Sequence, residues 1–337
     1  MANITYYIGA GASCNSLPLA KDMHQRLIEF KEYIIYLIDE KGLNNHFSNS
    51  YLTELDKIIR LVFENGTIDT CARTMYLNGR QSMDLVRLKS ILSGYILFEQ
   101  TRKDEGFLTN KDSGKQDHHN RVIDQRYPAF ITNQIDGNSR KLKDNIKIIS
   151  WNYDSQFELS YSNVVGCPID MALNQLNVYP SPYTNTDENY SIIKLNGTAG
   201  LTDEHNRVSA EYLSILEFDP LSSMNFIIDL LKSNNQRNYV PNQLFFAWED
   251  YHIPKNSKEL AKKIISETDI LIAIGYSFPD YNLEVDRYIF DGNRIEKMYY
   301  QVPPQYFEDL KLNIAKVNSD LLQVCENISR PEFLILS

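Results

Sequence analysis

Ile4-Thr5-Tyr6-Tyr7-Ile8-Gly9-Ala10-Gly11-Ala12-Ser13 is a β-rich run that stops at a glycine turn. β-branched and aromatic side chains fit a pleated, buried surface, so the first five residues predict a strand. Gly9 and Gly11 let the backbone turn sharply and come close to a ligand. A segment at helical spacing follows, so the N–H groups of Ala12 and Ser13 would lead toward a positive helix end. Such a junction suits a phosphate, and the stretch predicts a strand, turn and helix that receive a nucleotide.

Beyond the turn, Leu19, Met23, Leu27, Phe30 and Ile34 recur at helical spacing with Pro18 in the first turn, predicting a helix over 18–39. Residues 45–100 continue in helical style with no alternating pattern. Residues 102–120 are polar and read as an exposed loop, in which His118 and His119 are more simply solvated than metal-bound. Strand character returns at Ile146-Lys147-Ile148-Ile149, Ile192-Ile193-Lys194-Leu195, Ile270-Leu271-Ile272-Ala273-Ile274 and over 298–302. Short apolar strands separated by helices predict an α/β fold: a Rossmann-like parallel sheet with helices on both faces and a helical insertion. Residues 1–40 and 145–337 would form the nucleotide-binding domain and 41–144 the insertion.

The chain has 337 residues, is 43% hydrophobic, and carries 44 acidic against 34 basic residues for a formal charge of -10. No basic cluster is long enough to follow a phosphate backbone, which argues against direct nucleic-acid binding. Cys14, Cys71, Cys167 and Cys325 are widely spaced, so neither a disulfide framework nor a zinc site is expected. The apolar runs are too short to cross a bilayer and the first residues show no signal-peptide pattern, which predicts an unprocessed cytoplasmic protein with no membrane contact.

Ligands of open parallel sheets collect beyond the carboxyl ends of the strands. Four such ends carry unusual residues: Gly9 to Ser13; Ser150-Trp151-Asn152-Tyr153-Asp154; Asn196-Gly197; and Gly275-Tyr276-Ser277-Phe278. Each has a plain alternative. Ser155 with Glu158 has the spacing of a helix capping box, Asn196-Gly197 is a favoured hairpin turn, and Gly275 could merely end a strand. Placement of all four after separate strands favours a shared cleft. A dehydrogenase fingerprint is disfavoured, because its third glycine would fall at Cys14 and no acidic residue ends a second strand about 20 residues on.

These segments resemble the sirtuin-like (SIR2) superfamily, above all the SIR2-like domains of bacterial anti-phage systems. Gly9 to Ser13 is similar to its GAGxS cradle, Ser150 to Asp154 to its T-x-N-[IY]-D segment, Lys194-Leu195-Asn196-Gly197 to K-L-H-G, and Gly275 to Phe278 to G-[TY]-S-[LF]. The strand ending at Val302 lies where that family contacts adenine. The resemblance implies NAD+ as substrate, no metal, and glycohydrolysis to nicotinamide and ADP-ribose as an abortive-infection effector. Asn152 would position ribose or water, Asp154 would hold the carboxamide, and Asn196 would bond a ribose hydroxyl. Gly9, Ala10, Gly11, Ala12, Ser13, Ser150, Gly275, Tyr276, Ser277 and Val302 would bind the rest of the dinucleotide. It also implies a homo-oligomer, or a partner such as a HerA-type ATPase or an Argonaute-like subunit.

Two departures stand out. The zinc-ribbon cysteines of protein deacylases are missing, and Asn196 replaces the family's catalytic histidine. An amide takes up no proton at neutral pH, and general-base help is commonly worth about 10²–10⁴-fold. His205 is close in sequence but lies in a polar, solvent-like setting. The alternative expectation is therefore a catalytically impaired NAD+ or ADP-ribose-binding regulatory subunit.

Overall fold

Ile4–Ile8 forms the central strand β1 and is buried along its whole length. Buried on both faces, such a strand needs a continuous apolar run, and the neighbours supply the same character. In the computed structural model, which describes residues 2–43, 46–79, 83–101, 123–180, 189–201, 219–235 and 242–336, β1 pairs in parallel with β2 (Ile146–Ser150). Further along the chain come β3 (Val178–Tyr179), β4 (Ile192–Lys194), β5 (Gly197–Leu201), β6 (Asn242–Leu244), β7 (Ile270–Ile274), β8 (Lys297–Gln301) and β9 (Cys325–Ile328). The described residues form a seven-stranded parallel sheet in the order β3-β4-β2-β1-β7-β8-β9, while β5 and β6 pair separately.

The order places a switch point between β1 and β7. Ile4 aligns with Ile146 on one side and with Ile270 on the other, and the chain proceeds outward from β1 to β2 but in the opposite sense from β7 to β8. In open parallel sheets ligands favour the carboxyl ends of strands whose connections part in this way.

Helices cover both sheet faces because adjacent side chains of a strand point in opposite directions. Tyr6 meets Phe130 of the helix Arg126–Gln134 edge to face at 4.8 Å. Tyr7 packs on Phe290 of the helix Leu283–Phe290 at 5.2 Å. In chain order the helices are α1 (Met23–Lys41), α2 (Ser48–Asn65), α3 (Ile68–Asn78), α4 (Met83–Thr101), α5 (Arg126–Gln134), α6 (Gln156–Val165), α7 (Ile169–Gln175), α8 (Pro220–Asn235), α9 (His252–Ser266), α10 (Leu283–Phe290), α11 (Pro304–Val317) and α12 (Ser319–Gln323). α9 shows the logic of the layer. Pro254, Ser257, the adjacent Leu260 and Ala261, and Ile265 follow the helical repeat and are its buried face, Leu260 and Ile265 each contributing about 1.5–3 kcal/mol.

The chain divides into two compact units. The first contains Met1–Ser13, Ile123–Thr198 and Phe245–Ser337, and thus the parallel sheet; the second contains Cys14–Val122 and Ala199–Leu244 and carries α1 to α4 and α8. These bounds differ from an insertion over 41–144, because residues 14–40 group with the helical unit and residues 123–144, including α5, group with the sheet.

One local expectation is corrected, and one of the plain alternatives is set aside. The residues after the glycine turn form a short 3-10 turn, Ala10–Ser13, and α1 begins only at Met23, since Leu19 is extended (φ -71°, ψ 159°). No α-helix starts at the turn, so no helix dipole assists Ala12 and Ser13. Asn196-Gly197 is not a two-residue hairpin, because it joins β4 to β5, which belong to different sheets. The stretch 102–120 and His205 lie outside the described residues.

Candidate functional site

At the switch point the loops after β1 and β7 touch backbone to backbone. Gly9 N–H donates to the Ile274 carbonyl at 3.0 Å, Gly11 N–H to the Gly275 carbonyl at 2.9 Å, and Ala12 N–H back to the Gly9 carbonyl at 2.9 Å. A Cβ on Gly9 would come within 2.6 Å of Tyr276 Cα, and Gly275 adopts φ +63°. Glycine is required here for close approach of two chain segments. All three amides, including that of Ala12, expected with Ser13 to face a phosphate, are already committed within the protein. Ala10 and Ser277 are the exposed members of these loops; Gly11, Gly275 and Val302 are half-buried.

The segment after β2 is drawn to the same turn through Ser13. Ser13 Oγ donates to Asp154 Oδ2 at 2.7 Å and accepts from Asn152 Nδ2 at 3.1 Å. Tyr127 OH lies 2.7 Å from the same Oγ and, because a hydroxyl has one proton, donates to it. Ser13 is thereby saturated. Asp154 Oδ1 accepts from the Gln156 N–H at 3.1 Å, so both oxygens of this carboxylate also have partners. Burial pushes the Asp154 carboxyl above its ordinary value, opposed by the Ser13 bond and the Lys194 charge. Burial likewise holds the Tyr127 hydroxyl well above its usual range. Ser150 Oγ accepts from the Asn152 N–H at 3.1 Å and fixes the turn of this segment. Among the described residues no donor reaches Asn152 Oδ1, so the amide is oriented at its nitrogen and open at its oxygen.

Ser155 occupies the N-cap of α6 without a side-chain cap bond, so the capping box does not form. Glu158 turns instead to Lys194: the ammonium is 2.5 Å from Glu158 Oε1, 2.8 Å from the Asp154 carbonyl and 3.4 Å from Thr198 Oγ1. Both side chains are almost completely buried. The pair ties the end of β4 to α6 and holds the Asp154 peptide.

Asn196 is engaged at both ends of its amide. Nδ2 donates to the Trp151 carbonyl at 3.0 Å and Oδ1 accepts from the Ala247 N–H at 2.9 Å, while its main-chain carbonyl accepts from Phe245 N–H. One planar group supplying a donor and an acceptor staples the end of β4 to two other segments. Binding a ribose hydroxyl as well would draw on what hydrogen-bonding capacity the amide retains.

Tyr276 is a packing residue. Its ring stacks on Trp151, 5.3 Å between centroids and 5° from parallel. Its hydroxyl donates to Asp286 Oδ2 at 2.8 Å, beside Tyr7 OH on Oδ1 at 2.6 Å, and Tyr300 OH donates to its carbonyl at 2.6 Å. Burial raises the Asp286 carboxyl to about 7 although both tyrosine bonds favour the anion. Neither a family model nor a curated protein matches this sequence.

The strand ends thus meet within the sheet unit. Asn152, Asp154 and Ser13 share one hydrogen-bond cluster, Asn196 braces it through Trp151, and Tyr276 lies beneath. Tyr127, Arg126 and Asp286 belong to the same framework and escape sequence reading, because partners of each are remote in the chain, while Lys194 is visible in the sequence only as part of the Lys194-Leu195-Asn196-Gly197 segment. Among the described residues no group of three or more His, Cys, Asp or Glu side chains could hold a metal ion, and no helix is long and apolar enough to cross a membrane.

Proposed function

We propose that the chain binds NAD+ at the carboxyl ends of β1, β2, β4 and β7 and hydrolyses the bond between ribose and nicotinamide. The observation that carries this reading is Asn152, an amide held at Nδ2 by Ser13 with Oδ1 open, next to a switch-point turn. An acceptor fixed before substrate arrives can orient a ribose hydroxyl or the attacking water without reorganising. The chemistry asks little else of the protein. Nicotinamide leaves as a neutral ring with the electron pair of the broken bond, water adds to the anomeric carbon, and a water proton passes to solvent. Asp154 acts through Ser13, whose hydroxyl it orients, and Asn196 acts through the Trp151 carbonyl. The anti-phage setting, with a homo-oligomer, HerA-type ATPase or Argonaute-like partner, rests on the likeness of the four segments to SIR2-like domains.

Nicotinamide release from NAD+, followed by chromatography on the purified full chain, tests the reaction. Asn152→Ala is expected to lower kcat by about 10²-fold or more while leaving the fold intact. Equal turnover in wild type and variant sinks the proposal.

The second reading, an NAD+ or ADP-ribose-binding regulatory subunit, is favoured by the occupied Asn196 amide, which puts no proton acceptor where the resembled family has its histidine. Calorimetric NAD+ binding without nicotinamide release selects it.

A further inference from the structure

Arg126 opens α5 and is locked to a carboxylate that is itself fully buried. Its Nε and Nη2 donate to Asp124 Oδ1 and Oδ2 at 2.9 and 2.6 Å, and its own N–H donates to Oδ1 at 3.1 Å. Asp124 in turn donates its N–H to Gln156 Oε1 at 2.8 Å, at the start of α6. From this fixed position Nη2 reaches the Ala12 carbonyl at 3.0 Å and the Gly11 carbonyl at 3.5 Å. The guanidinium lies over the Phe333 ring at 5.2 Å, and Phe333 packs edge to face on Tyr127, the partner of Ser13. Phe333 is placed by Gln301 at the end of β8: Nε2 donates to the Arg330 and Glu332 carbonyls at 3.0 and 2.6 Å, and Oε1 accepts from Leu334 N–H at 2.9 Å.

The consequence is electrostatic. Gly11 and Ala12 have directed their N–H groups into the protein, so their carbonyl dipoles decide how an anion sees the turn. Oxygens facing a pyrophosphate would repel it. A guanidinium that donates from Nη2 to both oxygens on its own side offsets that repulsion, and its planar fork, seated on Asp124, fixes the direction of that donor, which a lysine ammonium, a single point charge, does not.

We propose that Arg126 is a positioning residue of the nucleotide site, holding the Gly11 and Ala12 carbonyls away from the phosphates, and that Phe333 holds Arg126 in that pose. The inference rests on the NAD+ reading above and adds to it residues outside the four strand-end segments.

Calorimetric Kd for NAD+ and steady-state nicotinamide release are compared for the full chain, Arg126→Lys and Phe333→Leu. Arg126→Lys keeps the charge and loses the fork. It is expected to raise both Kd and KM by about tenfold with kcat within about twofold, and Phe333→Leu to shift both in the same direction by less. A general loss of structure would lower kcat as well, and a pure charge effect would leave Arg126→Lys like wild type. Wild-type Kd in Arg126→Lys overturns the inference while leaving the NAD+ reading standing. Should Arg126→Lys fail to fold, Phe333→Leu decides, since it retains Arg126 and Asp124, and a wild-type Kd there overturns the inference. Absence of NAD+ binding by the wild-type chain removes the parent reading and this one with it.

Discussion

A Cβ placed on Gly275 would lie 2.2 Å from the amide nitrogen of Ala12, far inside contact distance, and backbone on both sides leaves nothing to give way. The loops after β1 and β7 are therefore a single packed unit. Gly275→Ala combines this clash with a left-handed φ of +63° and is expected to destabilise the protein by about 3 kcal/mol or more. Urea denaturation measures the loss, and a variant within about 0.5 kcal/mol of wild type contradicts the close packing described.

Asp286 makes stability depend on pH. An unfolded chain releases this proton near pH 4, whereas the folded protein retains it to about 7. Between those values the folded state binds more protons, so stability present in full below about pH 4 declines as pH rises through 7, by an amount on the order of 4 kcal/mol. Asp286→Asn removes this titration, and denaturation midpoints from pH 4.5 to 8 should decline less steeply than in wild type. Parallel profiles for the two proteins refute the assignment.

Asn196 is expected to matter for folding before it matters for chemistry. Asn196→Ala leaves the Trp151 carbonyl and the Ala247 N–H unpaired and should cost about 1–3 kcal/mol. Asn196→Asp preserves the bond to Ala247 but sets a carboxylate against the Trp151 carbonyl, so it should be the less stable of the two at pH 8. Thermal unfolding of both variants provides the comparison, and unchanged midpoints would return Asn196 to a role in ligand binding alone.

The Lys194–Glu158 pair offers a double-mutant cycle. Lys194→Met leaves a buried carboxylate without its counter-charge and should cost about 3–5 kcal/mol. Adding Glu158→Leu should recover a substantial part of that loss, because the pair's attraction is largely offset by its desolvation. Additive losses in the double variant would show that the two side chains do not act as a unit.

Much of the sheet is legible in the sequence. Ile4 to Ile8, Ile146 to Ile149 and Ile270 to Ile274 are dense in β-branched or aromatic residues because they are covered on both faces. The edge strands β3 and β9 are not, since two residues at Val178–Tyr179 and the mixed Cys325–Ile328 leave no apolar run. Glycine spacing identifies where chain segments approach one another but not what approaches. Gly9, Gly11 and Gly275 read as a ligand cradle, and each proves to face another stretch of this same backbone. Asn152, Asp154 and Asn196 are visible as polar residues after strands, yet which of their atoms stay open depends on Ser13, Gln156, Trp151 and Ala247. Asp286 and Tyr7 are 279 positions apart, and no local pattern announces such a bond.

The central position of β1 has a cost during biosynthesis. Asn3 at its threshold bonds to Asp269, 266 positions away, so a ribosome working at about 5–20 residues per second delivers the second flanking strand, β7, roughly 15–50 s after β1 itself has emerged. For that interval an apolar strand waits with one or both edges bare, open to pairing with other nascent chains. Yield of soluble protein should consequently respond to chaperone supply and translation speed more than to additives applied after lysis.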